Sequence, residues 1–159
     1  MAFQRQGHRD GKFIPKKSEY KEKTLDLRRV TRVVAGGKRF SFRCTLVMGD
    51  ERGTVAVGIA KGVDVAQAID KARNDAKKNI LKVPLKGTTL AHEVTAKFSA
   101  ARVIIKPAQK GSGLKAGGAV RTVLLMAGIK DASAKCLGRT KNKLTNALAT
   151  IEALKKIKA

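Results

Sequence analysis

The sequence predicts a two-domain α+β protein, and three observations carry that prediction. Apolar residues recur at period two over residues 40–59 and then at helical spacing over residues 65–80. The same change from strand to helix periodicity is repeated in the second half, where β-like alternation over residues 94–105 precedes helical spacing over 144–154. Between the halves Pro84 forces Val83 toward extended backbone, and with Lys86-Gly87 close behind it marks a boundary at about residues 83–91. The chain therefore divides into a basic arm at 1–21, an N-terminal βββα domain at 22–85 and a C-terminal α/β domain at 86–159.

Residues 1–23 mix Arg, Lys, Gln and Gly with scattered acids and show no periodicity, the composition of a segment unable to bury itself alone. Leu25–Val34 reads as the first strand, with Arg28, Arg29 and Arg32 projecting from it and a slip of alternation near Arg29 that suggests a bulge. Ala35-Gly36-Gly37-Lys38 makes the first turn. In the second strand Phe40, Phe42, Cys44, Leu46 and Met48 share one face, expected to be buried, and Ser41, Arg43, Thr45 and Val47 share the other, expected to be wet. After the turn Gly49-Asp50-Glu51-Arg52-Gly53, Val55, Val57 and Ile59 repeat the alternation. Each turn carries cations, Lys38 and Arg39 in one and Arg52 in the other, at tips where charge stays solvated.

Asp64 is the expected N-cap of a helix whose apolar stripe is Val65, Ala68, Ile69, Ala72, Ala76 and Ile80. Its opposite face holds Lys71, Asn74, Lys77 and Lys78. In the second half, Val94, Ala96 and Phe98 alternate, and after a short turn Val103 and Ile105 do the same, which predicts a hairpin closed by Pro107. A glycine-rich loop, Lys110-Gly111-Ser112-Gly113-Leu114-Lys115-Ala116-Gly117-Gly118, leads to a short helix with Val120, Val123, Leu124 and Ala127 inward and Gly128 at its end. Ile129–Leu137 reads as one more strand. Leu144, Ala147, Leu148, Ile151 and Leu154 mark a final amphipathic helix.

Charge narrows the class of function. The chain has 159 residues, 35 Lys and Arg against 12 acids and a net charge of +23, while 43% hydrophobic content excludes wholesale disorder. Self-repulsion on that scale opposes compaction unless a partner supplies negative charge, and nucleic acid is the leading polyanion. The arm is then either a floppy tail or a segment that orders on RNA. No helix pairs a basic face with a broad Leu or aromatic face, so a membrane surface is disfavoured. No signal-like or membrane-length apolar run is present, and a cytoplasmic location is expected. Cys44 and Cys136 lie far apart without metal-ligand spacing and read as buried reduced thiols; His8 and His92 stand beside no acid, Ser or Cys constellation. No cofactor, metal or catalytic group is expected.

The loop at 111–118 has three readings: RNA backbone contact, a plain turn, or a nucleotide site. As a nucleotide site it is weak, because Lys115 is followed by Ala116 rather than Ser or Thr and nothing is placed to hold magnesium. Paired acids are scarce too, and Asp50 and Glu51 read as solvated in their turn. Lys38-Arg39-Phe40-Ser41-Phe42 falls short of a single-strand RNA signature, since its Phe residues share a face with Cys44, Leu46 and Met48. Recognition is expected through phosphates, ribose and shape. A βββα unit with cationic turns is the arrangement used by double-stranded-RNA readers.

Over residues 22–157 the chain resembles the bacterial small-subunit ribosomal protein S5 family. The likeness rests on Arg32-Val33-Val34-Ala35-Gly36-Gly37-Lys38-Arg39-Phe40-Ser41-Phe42, Val47-Met48-Gly49-Asp50, Asp75-Ala76-Lys77-Lys78-Asn79, Pro84-Leu85, His92-Glu93-Val94, Ala116-Gly117-Gly118-Ala119-Val120-Arg121 and Ala127-Gly128-Ile129-Lys130-Asp131. It implies a double-stranded-RNA-binding-like N-terminal domain and a C-terminal sandwich-like domain with a left-handed βαβ crossover. It also implies binding to small-subunit ribosomal RNA, ribosomal proteins S4 and S8 as neighbours, and support of assembly, decoding accuracy and mRNA passage into the subunit. The Gly36-Gly37-Lys38 turn corresponds to the family loop that reaches toward the junction of subunit head and body, near the spectinomycin site. The expected RNA contacts are Arg28, Arg29, Arg32, Lys38, Arg39, Arg52, Lys61, Lys110, Lys115, Arg121 and Arg139, with Gly36, Gly37, Gly117 and Gly118 allowing close backbone approach.

Departures from the family pattern carry their own expectations. Ala56 and Ala60 stand where glycine is usual, against a close RNA approach along the third strand. Ala66 and Ala119 replace prolines and loosen two helix starts, and cations at 139–141 replace an Asn-Pro turn before the last helix. Two rivals remain at this point, a free RNA- or DNA-compacting protein and a small nucleotide-using enzyme.

Overall fold

The computed structural model describes residues 20–158, so the expected arm lies outside the described residues except for Tyr20 and Lys21. An antiparallel sheet in the order β1-β2-β3-β4 is built from β1 (Lys21–Val34), β2 (Gly37–Gly49), β3 (Thr54–Gly62) and β4 (Leu81–Lys82), with α1 (Val65–Lys78) between the last two. A second sheet, β5-β6-β8-β7, contains β5 (Val94–Phe98), β6 (Ala101–Pro107), β7 (Leu114–Lys115) and β8 (Ala132–Cys136). α2 (Gly118–Met126) connects β7 to its parallel neighbour β8, forming a βαβ unit, and α3 (Lys143–Lys155) ends the fold.

The elements stack in four layers. α1 covers one face of the first sheet, α2 and α3 lie between the two sheets, and among the described residues the outer face of the second sheet carries no helix. A small core of Cys44, Leu46, Met48, Ala56, Ala68, Ala72 and Ala76 joins α1 to the first sheet. The larger core runs through the central layer and takes in Val47, Val55 and Val57 from the first sheet together with Val103, Ile105, Val123, Leu124 and Leu154. Burial of these side chains is the main stabilising term, about 1.5–3 kcal/mol for each large one.

Several expectations need correction. β1 begins at Lys21, four residues before Leu25, and its irregularity falls between Thr24 and Asp26; Arg29 pairs regularly with Phe42. An edge strand is held by one ladder only, so its side-chain pattern is free to drift. Thr45 and Val47, expected wet, are 1% and 0% exposed because α2 and α3 cover their face. Phe40, expected in the core, is 44% exposed, since the strand has by then run past α1. Ile80 lies beyond the C-cap Asn79 and outside the stripe, where the chain turns back so that Leu81 can pair with Val55. β4 and β7, two residues each, are too short to show periodicity.

The departures from the family pattern acquire a different meaning. Ala56, Gly58, Ala60 and Gly62 alternate on the face of β3 that meets α1, opposite Met48, Leu46, Cys44 and Phe42. A Cβ on Gly58 would stand 2.1 Å from the Ala72 carbonyl oxygen. Ala56 and Ala60 therefore lie where the sheet packs against α1. The helix starts are kept as well: α1 begins at Val65 and α2 at Gly118, with Ala66 and Ala119 second in each. Asp64 is the N-cap by position, but its side chain makes no capping bond, and Gln67 Oε1 instead accepts from Val63 N at 3.1 Å. Asn142 caps α3 by accepting from Leu144 N at 3.1 Å.

Candidate nucleic-acid interface

The two strands of the first hairpin are longer than the sheet that supports them. β3 accompanies β2 only as far as the pair Phe42 and Gly62, while the β1–β2 ladder continues to Val34 opposite Gly37. Residues 30–34 and 37–41 thus form a free two-stranded ribbon, projecting about 16 Å at a strand rise of about 3.3 Å per residue. The turn is the two residues Ala35-Gly36, and Gly37, at φ +135°, already belongs to the strand. Nothing lies within 4 Å of a Cβ on Gly36 or Gly37, so the tip is open.

Register decides which cations meet. Arg28 lies opposite Arg43, Arg32 opposite Arg39, and Lys61 opposite Arg43 from the other side, all on the face turned away from α1. Farther along, the same face holds Thr45 and Val47, buried by the central helices, so the cationic row begins where that cover ends. No acid interrupts the sequence between Asp26 and Asp50. Where β3 leaves the sheet at Gly62, the bare edge of β2 borders a groove of about 280 Å³ lined by Arg32, Arg39, Ser41, Lys61, Gln67 and Lys71. Among the described residues these four cations form no ion pair. Like charges placed directly across a ladder oppose folding, so folding alone does not account for the arrangement.

Neighbouring residues are used differently. The Arg29 guanidinium carbon sits 3.7 Å from the Phe40 ring centroid on the other face, covering an otherwise exposed ring by a cation–π contact. Arg28 is bonded to Asp26 at 2.6 Å, and Asp26 also meets Lys143 of α3 at 3.5 Å. Lys38 stands exposed at the tip.

A second groove, about 590 Å³, opens where the two-residue β7 leaves the edge of β8 bare. It brings together Lys115, Gly117 and Arg121 with Ser133, Lys135 and Cys136, and Gly118 follows directly as the first residue of α2. The Cys136 thiol is half-buried at this groove, a correction to the expected buried position, while Cys44 is buried and its thiol pKa is pushed up by that burial, opposed in part by the Thr24 hydroxyl.

The remaining expected contacts lie apart from both grooves. Arg52 is exposed on the β2–β3 turn, but that turn is no free tip, because Glu51 N and Gly53 N donate to the Met126 and Ala127 carbonyls at 3.1 and 2.9 Å. Asp50, expected to be solvated, accepts from the Arg52 and Thr54 amides at 2.8 Å each. Partial burial pushes its carboxyl up, and these bonds together bring it below the ordinary range. Glu51 pairs with Lys21 at 2.7 Å. Arg139 is exposed on the loop before α3, and Lys110 beside the glycine loop.

That loop is closed from within. Asp131, 5% exposed, accepts from the amides of Gly111 and Gly113 at 3.0 Å each and from the Thr88 hydroxyl at 2.7 Å. The Thr88 bond, then those of the amides and the Lys110 charge, hold its carboxyl below the ordinary range against desolvation. These amides are committed to Asp131 and are not presented to a phosphate. The structure thus supports the reading of residues 111–113 as a turn. Sequence reasoning left Arg43, Lys71 and Lys135 out of the site; the alternation of Arg39, Ser41 and Arg43 held the signal for the first, whereas Lys71 joins the groove only through packing.

Among the described residues no helix is long and apolar enough to cross a membrane, and no cluster of potential metal ligands occurs. Residues 20–84 match the family model described as "Ribosomal protein S5, N-terminal domain", and residues 96–159 match "Ribosomal protein S5, C-terminal domain". The chain belongs to the ribosomal protein S5 family. Two relatives named "Small ribosomal subunit protein uS5c" support the assignment. That of Cyanidium caldarium is 49% identical over 139 residues, covering 87% of this chain and 82% of the relative. That of Rhodomonas salina is 45% identical over 151 residues, covering 94% and 89%. As an S5-family member the chain is a structural, non-enzymatic constituent of the small ribosomal subunit, where it takes part in translation among ribosomal RNA and other ribosomal proteins. The two rival readings give way to this one.

Proposed function

We propose that the β1–β2 ribbon and the groove at its base grip the backbone of small-subunit ribosomal RNA. Arg28, Arg32, Lys38, Arg39 and Lys61 make the phosphate and ribose contacts, joined by Arg43 and Lys71, while Gly36 and Gly37 let the tip come close. Lys115, Gly117, Gly118 and Arg121 form a second contact at the β7–α2 groove, and Arg29, Arg52, Lys110 and Arg139 add to the field around both. The observation that carries this reading is the cross-strand pair of Arg32 and Arg39 on a ribbon that runs past the end of β3, beside a groove shared with Lys61 and Lys71, these four cations forming no ion pair among the described residues. Counterion release from such a row supplies affinity independent of sequence, and the shortage of exposed aromatic rings favours backbone contact over base stacking.

Within the subunit we place this chain beside ribosomal proteins S4 and S8 and close to the path of incoming mRNA, with a part in assembly and decoding accuracy. The family likeness supports these finer assignments. Two free thiols and no disulfide fit a reducing compartment such as the cytoplasm. The test is incorporation of the full chain into small subunits with Arg32→Gln and Arg39→Gln together, alongside binding to isolated small-subunit ribosomal RNA. Weaker binding and poorer incorporation are expected. Wild-type behaviour in both assays would remove the ribbon from the interface.

A further inference from the structure

The second sheet has one face packed on α2 and α3 and one that no helix covers among the described residues. Ala101, Val103, Ile105 and Ala132 point inward and are fully buried, so by alternation Lys97, Arg102, Lys106, Ser133 and Lys135 point outward, and all five are exposed. Lys115 joins them, since it pairs with Ser133 across the parallel ladder and is also exposed. Register arranges four of these cations as an oblique stripe across the sheet. Lys97 is directly opposite Arg102. Lys135 faces Ile104 and so lies diagonal to Arg102, and Lys115 faces Ser133 and so lies diagonal to Lys135. Such steps measure about 5 Å directly across a ladder and about 7–8 Å along a diagonal.

Lys106 is tied to Glu93 at 3.2 Å, whereas the four stripe cations form no ion pair among the described residues. The stripe ends at the second groove, which Lys115 and Lys135 both line.

We infer that this open sheet face is a further docking surface for an RNA backbone, laid obliquely across the strands from Lys97 to Lys115. This inference rests on the proposed role in ribosomal RNA binding and extends it to Lys97, Arg102 and Lys135. Composition selects the occupant. A protein partner would find a surface rich in Lys, the residue that interface cores exclude, with half-buried Ile104 and exposed Leu137 as its large apolar side chains. The face offers no aromatic ring for an unstacked base, and its hydroxyls and ammonium groups suit phosphate and ribose oxygens. A sheet that needs a helix on one face only can leave the other as a flat cationic platform.

The experiment uses the full chain with Lys97→Gln, Arg102→Gln and Lys135→Gln combined, all solvent-exposed and outside both cores. Its affinity for purified small-subunit ribosomal RNA is followed across salt concentrations beside the ribbon variant, and acetylation of Lys97 and Lys135 is mapped in the wild-type complex and in assembled subunits. A loss of about 2 from the salt slope is expected, at about 0.7 for each lost phosphate contact, together with protection of both lysines in the RNA complex. An unchanged slope with both lysines open to acetylation, while the ribbon variant binds weakly, would overturn this inference and leave the ribbon reading intact. Protection only in the assembled subunit would assign the face to a neighbouring protein and overturn it too. If neither variant altered binding, both readings would fall.

Discussion

A Cβ added to Gly128 would stand 2.2 Å from the carbonyl oxygen of Glu51, and Gly128 itself sits at φ +87°. The β2–β3 turn and the end of α2 therefore meet backbone to backbone, and the turn amides of Glu51 and Gly53 take up the last carbonyls of the helix. Helix ends leave such carbonyls without an internal partner. Here the first sheet supplies the cap, so the two halves hold each other in one orientation.

Replacing Gly128 by Ala should therefore destabilise the chain severely. Positive φ alone costs a non-glycine residue about 1–3 kcal/mol, and the collision with Glu51 adds to it. Gly36→Ala, in open space at the ribbon tip, should change stability by no more than about 0.5 kcal/mol. Denaturant unfolding of both variants checks this, and equal losses would show that the contact between the halves does not matter to stability.

For the ribbon, Arg32→Gln with Arg39→Gln should lower the slope of log affinity against log salt by about 1.4–1.8 for ribosomal RNA. The same variant should leave the free chain as stable as before or more so by a few tenths of a kcal/mol, because a like-charged cross-strand pair has gone. Binding isotherms and thermal melts measured together distinguish this from a ribbon whose arginines serve the fold, for which stability would drop.

Asp131 and Asp50 give stability an acid limb. Both carboxyls ionise more readily in the folded chain than at their ordinary value of 3.8. Their contribution is thus complete above the ordinary carboxyl range and is lost as pH falls through the lowered folded values. Asp131→Asn should melt below wild type at pH 7, and the gap should close as pH drops below about 4. A gap independent of pH would mean that the charge on Asp131 is not what holds Gly111 and Gly113.

Ala60→Gly tests the role of this position in β3. Since Ala60 packs toward α1 and not outward, the change should leave RNA affinity untouched and cost about 0.5–1 kcal/mol through the flexibility of glycine in a strand. Parallel melts and binding curves suffice, and altered affinity with unchanged stability would return this strand to the interface.

Most of the elements could be read from periodicity, because Val55, Val57 and Ile59, or Leu144, Ala147, Leu148, Ile151 and Leu154, each satisfy one geometry and violate the other. Charge pointed to a polyanion, and the glycine pair at Gly36-Gly37 marked an open turn. The short strands β4 and β7 gave no sign, since two residues complete no period.

Alternation tells which side chains on β2 share a face; it cannot tell what lies over that face. Val47 and Arg43 occupy the same side of one strand, yet one is sealed under the central helices and the other belongs to a cationic row. That difference depends on helices about 70–110 residues away in the sequence. In the same way Lys71 reaches Arg32 and Arg39 only because β3 ends at Gly62 and turns into α1, and Asp131 closes a loop about 20 residues before it. Local residue patterns set the backbone geometry and the charge to be disposed of. Contacts between distant segments determined which charges were left uncovered, because burial is a property of neighbours in space.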